Sequence, residues 1–143
     1  MIAASGAPNC RRILVGVDFS ESTPGVLELA AAVARAFGGK LEILHVLVLN
    51  ESDTVTAESE LARCVPPQMA DLVSGRRMAR ALSADLGLLT AARETGADLV
   101  VLGTHGRSGL SHVMLGSVAE RVVQLAECPV LTVRRPGHEF KRP

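Results

Sequence analysis

Ala97-Asp-Leu-Val-Val-Leu-Gly103, running without interruption into Thr104-His-Gly-Arg-Ser-Gly-Leu-Ser-His-Val-Met-Leu-Gly-Ser117, is the stretch on which the fold turns. Its first part is a short apolar run closed by glycine, which reads as a strand buried on both faces of a parallel sheet. Its second part is rich in glycine and polar residues. Gly103, Gly106 and Gly109 have no Cβ, so the backbone can turn with positive φ, aim successive N–H groups at one concavity and let an anion approach closely. Ser117-Val-Ala-Glu120 fits an S-x-x-E capping box, which predicts a helix over 117–126 that starts at Gly116-Ser117 and points its first amides at the same place. Arg107, inside the loop, can add a charged contact. A mere connector needs neither Arg107 nor Gly116 nor the 13 residues between Gly103 and Ser117. The stretch therefore predicts a phosphate-binding loop at the carboxyl end of a parallel strand, where open α/β sheets bind ligands.

Upstream, Arg12-Ile-Leu-Val-Gly-Val-Asp18 is another apolar run, ending in an acid. Thr23 is expected to cap a helix with Pro24 at its first position; Val26, Leu29, Ala30, Val33 and Phe37 share one face, and Gly38-Gly39 ends it. Leu41–Leu49 predicts a central strand. Residues 51–60 carry Glu51, Asp53, Glu58 and Glu60 with no basic residue, and are expected to form an exposed acidic loop with a frayed helical turn. From Gln68, the residues Met69, Leu72, Val73, Ala79 and Leu82 follow helical spacing, and another helix is expected over Ala84–Thr95, ended by Gly96. Pro129–Arg134 reads as the last strand. Four strands interleaved with helices make an α/β parallel sheet with crossover helices. Residues 1–143 are read as a single domain, with a loose leader over 1–10 and a polar tail over 136–143.

Composition narrows the function classes. Fifteen basic residues balance fifteen acidic ones, and three Phe with no Tyr or Trp leave few rings for stacking on bases, so nucleic acid is not an expected partner. An apolar content of 48% can build a core without disulfide or metal staples. Cys10, Cys64 and Cys128 form no C-x-x-C pair, which argues against a disulfide framework or a zinc site and for a reducing cytoplasm. Neither an export leader nor an apolar run approaching the ~20 residues of a membrane span is visible, so no membrane association is expected.

Gly103, Gly106, Gly116 and Ser117 match without a gap the pattern G-x2-G-x9-G-[S/T]. With Ile13-Leu-Val-Gly-Val-Asp-Phe-Ser20, Leu44-His-Val46, Gly96–Gly103 and Cys128–Val133, they make the chain resemble the ATP-binding subgroup of the universal stress protein family. The resemblance implies a Rossmann-like open parallel sheet of the adenine nucleotide alpha hydrolase type, ATP as ligand with any Mg²⁺ held mainly by the phosphates, and a homodimer. Carried over by position, it implies that Asp18 holds the ribose hydroxyls and the backbone of Val46 meets the adenine edge. Gly103, Gly106 and Arg107 would line ribose and phosphates, and Gly116, Ser117 and Val118 would bind phosphate oxygens. Family members have a third, Val/Ile-rich strand where this chain shows Ser74–Leu89. That strand is therefore expected to be missing or degraded, leaving the order 2-1-4-5 in the family's naming and loosening the adenine side.

Other chemistry is less well supported. His45, His105, His112 and His138 do not stand at metal-ligand spacing and are expected to be structural or solvent-facing, with His105 as a phosphate neighbour the exception. Ser108 lacks the G-x-S-x-G elbow. Asp18 can serve as a strand-end cap for loop amides, but its place beside the crevice favours a ligand role. There is no Walker lysine and no evident acid for Mg²⁺, so binding is expected rather than turnover, with no catalytic residue and no protein-held metal. The reading is a cytoplasmic stress-response protein acting by nucleotide-dependent conformation or partner choice; a slow ATPase at the same site and a nucleotide-free dimeric scaffold are the alternatives. For the dimer, the resemblance implies that Pro129–Arg134 lies at the sheet's edge; its pairing groups stay available after Pro129, so two copies can join it antiparallel about a two-fold axis.

Overall fold

Strands apolar on both sides can be buried only where helices cover both faces of a sheet. The computed structural model, which describes residues 9–49, 53–104 and 116–134, meets that condition. Its elements in chain order are β1 (Arg12–Gly16), α1 (Thr23–Phe37), β2 (Lys40–Val48), α2 (Thr54–Arg63), a 3-10 segment (Pro67–Leu72), β3 (Val73–Ala81), α3 (Ala84–Thr95), β4 (Leu99–Gly103), α4 (Ser117–Leu125) and β5 (Val130–Val133). The strands form one sheet in the order β3-β2-β1-β4-β5, with all neighbours parallel. Ile13 lies opposite Leu41 and Leu99, and Val15 opposite Ile43 and Val101. These six side chains pack with α1, α2 and the 3-10 segment on one face. Leu14, Leu44, Val100 and Leu102 pack with α3 and α4 on the other. The result is a Rossmann-like α/β fold.

The missing third strand is a correction. β3 is nine residues long and pairs with β2 from Leu41↔Val73 to Val48↔Ala81, with a register shift between Leu41 and Glu42. It extends the expected four-strand order by one strand beyond β2. A β-branched run is not required here, because β3 is an edge strand and half-exposed along its length. Charged side chains on such an edge discourage pairing with other chains. Arg77 reaches Glu42 (3.2 Å) and Glu94 (3.3 Å), and Arg80 donates to Thr54 Oγ1 (2.8 Å). The apparent helical spacing from Gln68 merged two elements, since Met69 and Leu72 are buried from the 3-10 segment that precedes the strand.

Two further expectations change. The acidic segment is a full helix, α2, because Asp53 caps it by accepting the Thr56 N–H (3.1 Å) and Ala57 and Leu61, one turn apart, bury a common face. The helix α1 is N-capped by Ser22, one residue before Thr23, without a side-chain cap bond. Of its expected stripe, Val26 and Ala30 are buried while Phe37 is 49% exposed.

The close approach of α3 to β2 depends on a glycine. A Cβ at Gly87 of α3 would stand 2.6 and 2.7 Å from the two methyls of Val46 on β2, whereas a Cβ at Gly75 of β3 would meet nothing within 4 Å. Gly87→Ala is expected to destabilise the fold by about 1–3 kcal/mol through overpacking. Gly75→Ala is expected to be neutral or to stabilise by up to about 1 kcal/mol by restricting the unfolded chain. Urea denaturation midpoints of the two variants check the contrast.

Candidate functional site

From β1 the chain crosses over to β2, while from β4 it crosses over to β5, so the strand order reverses between β1 and β4. The helices that follow these two strands pack on opposite faces, which opens a crevice at their carboxyl ends. The crevice is a cleft of about 310 Å³, at the small end of the roughly 300–1,000 Å³ of small-molecule pockets. Gly16, Val17, Asp18 and Thr23 line one part of it, His45, Val46 and Val48 another, Ala84 and Leu88 a third, and Gly103, Thr104 and Gly116–Ala119 the last.

The Asp18 side is a tight turn. Asp18 Oδ1 accepts the Ser20 N–H (3.0 Å) and the Thr23 hydroxyl (3.4 Å), so the carboxylate organises the entry to α1. Phe19, between them, has a φ of +61°, a left-handed conformation that costs a non-glycine residue energy and recurs at functional sites. Buried His45 supports the turn from below: its Nδ1 donates to the Val17 carbonyl (2.8 Å), and its ring lies 4.3 Å from that of Phe19.

On the opposite side the chain returns to where it left. Thr104 donates its N–H to Val133 O (2.9 Å), prolonging the β4–β5 ladder, and its carbonyl accepts the Gly116 N–H (2.7 Å). Gly103 and the start of α4 are thus held side by side. The capping box is a correction: Gly116, not Ser117, is the N-cap, and a glycine has no side chain with which to cap the helix. The Glu120 N–H bonds Gly116 O, so the amides of Ser117, Val118 and Ala119 have no partner within the helix and carry the positive end of its dipole.

The wall between these sides is α3. A Cβ at Gly16 would come 2.8 Å from Leu88 Cδ2, and Gly87 lies against Val46, so α3 sits directly on the ends of β1 and β2. Next to the lining residue Ala84, Asp85 is 7% exposed and receives Arg121 Nε from α4 (2.9 Å), which ties the two helices together. Burial pushes the Asp85 carboxyl up. Hydrogen bonds from Ser83, Arg121 and its own backbone, with the Arg121 charge, outweigh this and hold it below its ordinary value of 3.8.

Six of the eight residues singled out in the sequence, Asp18, Val46, Gly103, Gly116, Ser117 and Val118, therefore line one cleft. Gly106 and Arg107, with His105 and His112, lie outside the described residues. Sequence reading missed Thr104, Ala84 and Leu88, and gave His45 no place in the site. The available signals were the glycines at 16 and 87, which mark close approach, and a histidine within an otherwise apolar strand. A larger cavity, about 570 Å³, opens at the opposite end of the sheet. Three of its four cationic residues are already engaged: Arg12 with Thr95 O, Lys40 with Asp71 O, and Arg77 with Glu42 and Glu94.

The sequence profile of the universal stress protein family matches residues 9–134. The chain belongs to that family. The universal stress protein YxiE of Bacillus subtilis is 31% identical over 147 residues, covering 86% of this chain and 98% of its own length. One from Methanocaldococcus jannaschii is 58% identical over 43 residues, 30% of this chain and 25% of that protein. Among solved structures, a universal stress protein in complex with cAMP superposes with a TM-score of 0.68 at 25% identity, covering 89% of this chain and 98% of that one. The universal stress protein of Archaeoglobus fulgidus in complex with dAMP also gives 0.68 at 25% identity, with 85% and 96% covered. Among the described residues of this universal stress protein, no helix is long and apolar enough to cross a membrane.

The Asp85 pair has a pH signature. A carboxylate with a lower pKa in the folded state adds stability that is complete above its unfolded value and is lost as pH falls through its folded value. Asp85→Asn is expected to be less stable than the natural chain at pH 7, and the gap is expected to close as pH falls below 3.8. Urea midpoints at pH 7 and pH 3 test this, and an undiminished gap at pH 3 would contradict it.

Proposed function

We propose that the cleft binds an adenine nucleotide, with ATP as its principal ligand, and that the protein serves in stress response through nucleotide-dependent conformation or choice of partner. One observation carries the reading: the Asp18 carboxylate and the first three amides of α4, which have no partner within the helix, meet in a single crevice, floored by Val46 and Leu88, where the strand order reverses. An acceptor at one end suits ribose hydroxyls, helix N-terminal amides at the other suit phosphate, and the apolar floor suits a purine. In this reading Asp18 holds the ribose, the Val46 backbone meets the adenine edge, and Gly103, Gly116, Ser117 and Val118 take the phosphates. Gly106 and Arg107 complete the loop. The relatives whose complexes contain cAMP and dAMP support the adenine nucleotide class.

Asp18 and His45 are the ionisable side chains of the described lining; His45 is committed to the Val17 carbonyl, and Asp18 supports the turn before α1 through Oδ1. No three His, Cys, Asp or Glu side chains gather into a metal site among the described residues. Magnesium would then be carried mainly by the phosphates, and the reading is binding rather than hydrolysis. β5 is the edge of the sheet beyond β4, so we infer a homodimer in which Val130–Val133 pairs antiparallel with its copy.

Gly116→Val places a branched side chain where the phosphate oxygens belong and is expected to weaken ATP binding about tenfold or more, read by calorimetry. Unchanged ATP affinity would refute the site. Thr132→Pro removes a donor in the middle of β5, and the dimer is expected to dissociate. Light scattering that gives a monomer for the natural chain at micromolar concentration would end the dimer reading.

A further inference from the structure

We propose that Arg121 is a phosphate-binding residue of the cleft and that Asp85 and the nucleotide phosphates compete for its guanidinium. The inference rests on the reading of the cleft as a nucleotide site. Among the described residues the lining contains no Lys or Arg, so Arg121 would add a second cation to the one that Arg107 brings in that reading. Arg121 is placed to do so. It follows Ser117 by four residues on α4, so the two share a side of the helix. Long helical side chains lean toward the N-terminus, and one turn rises only about 5.4 Å, within the reach of an arginine.

Asp85 turns the guanidinium toward α3 instead, through the 2.9 Å contact of Nε with Oδ2. The hold is releasable for three reasons. Arg121 remains 59% exposed in its side chain against 10% for Asp85, so the guanidinium moves through solvent and not through packed core. The Asp85 carboxylate lies in the first turn of α3, where the positive end of the helix dipole favours a negative charge, so the departure of Arg121 does not leave it unsupported. The two helices stay joined by the packing of Leu88 and Ala91 with Ala119 and Val122, and Arg93 of α3 pairs with Glu127 just after α4 (3.1 Å). A triphosphate offers several negative oxygens and a geometry that fits the arginine fork, where Asp85 offers one carboxylate.

Calorimetry with ATP and with adenosine, which has the same base and ribose but no phosphate, separates this from a plain brace. Asp85→Asn removes the competitor and is expected to tighten ATP about three- to tenfold while leaving adenosine within about twofold. Arg121→Gln is expected to weaken ATP about tenfold and leave adenosine alone. The double variant should match Arg121→Gln, because Asp85 acts only through the arginine. Circular dichroism and melting curves establish that each variant is folded, and Arg121→Gln carries the test if Asp85→Asn is not. Equal weakening of ATP and adenosine by Asp85→Asn, or an unchanged ATP-to-adenosine ratio in Arg121→Gln, would overturn the proposal and leave the cleft reading intact. If neither ligand binds the natural chain, the cleft reading fails and the proposal with it.

Discussion

The register of β1 between β2 and β4 is the constraint on which the rest of the structure depends. Ile13 faces Leu41 and Leu99, and Val15 faces Ile43 and Val101. A slip by one residue would send Leu14 into the layer under α1 and Ile13 and Val15 into the layer under α3 and α4, so the close packing of two different apolar layers holds the register. The pairing continues past the strand ends: Val17 N–H bonds Leu44 O, and Thr104 N–H bonds Val133 O. Asp18 and Gly103 therefore emerge from neighbouring strands at the same rim, although they lie far apart in sequence. The packing of α1 and α4 on opposite faces opens the crevice between them. The site is thus a consequence of sheet topology before it is a matter of any one side chain.

Shape at the rim is set by contacts that admit little change. α3 is seated by glycines, Gly16 beneath Leu88 and Gly87 against Val46, so its first turn lies directly over the ends of β1 and β2. The Asp18 turn keeps a left-handed Phe19 because Asp18, His45 and the ring contact all support it. The two helices that wall the cleft meet through an apolar layer and through the Asp85–Arg121 pair. Buried charge near a binding crevice is costly unless paired, and here the pair joins the two walls.

Much of this was legible in the sequence where burial is two-sided or glycine is required. The runs ending at Asp18 and Gly103, the α3 boundaries at Ala84 and Gly96, and the glycine at the start of α4 all appear in the structure within a residue or two. The third strand was not legible, because Val73-Ser-Gly-Arg-Arg-Met-Ala-Arg-Ala81 takes its stability from pairing with β2 and from arginine ion pairs at an edge. Those contacts are distant in sequence and leave no apolar periodicity. His45 was illegible for a related reason: its role depends on the Val17 carbonyl and the Phe19 ring, which only the β1–β2 pairing brings to it. Family membership accounts for the match over residues 9–134, and the complete five-strand order is consistent with it.

The central claim is that adenine nucleotide occupies the rim between β1 and β4, and amide chemical shifts of the isotopically labelled full chain during an ATP titration test it most directly. The account predicts saturable shifts for Asp18, Val46, Gly103, Thr104, Ser117 and Val118, with Lys40, Ser74 and Thr95 at the opposite end of the sheet unmoved. Saturable shifts confined to that opposite end, or none anywhere at millimolar ATP, would contradict it.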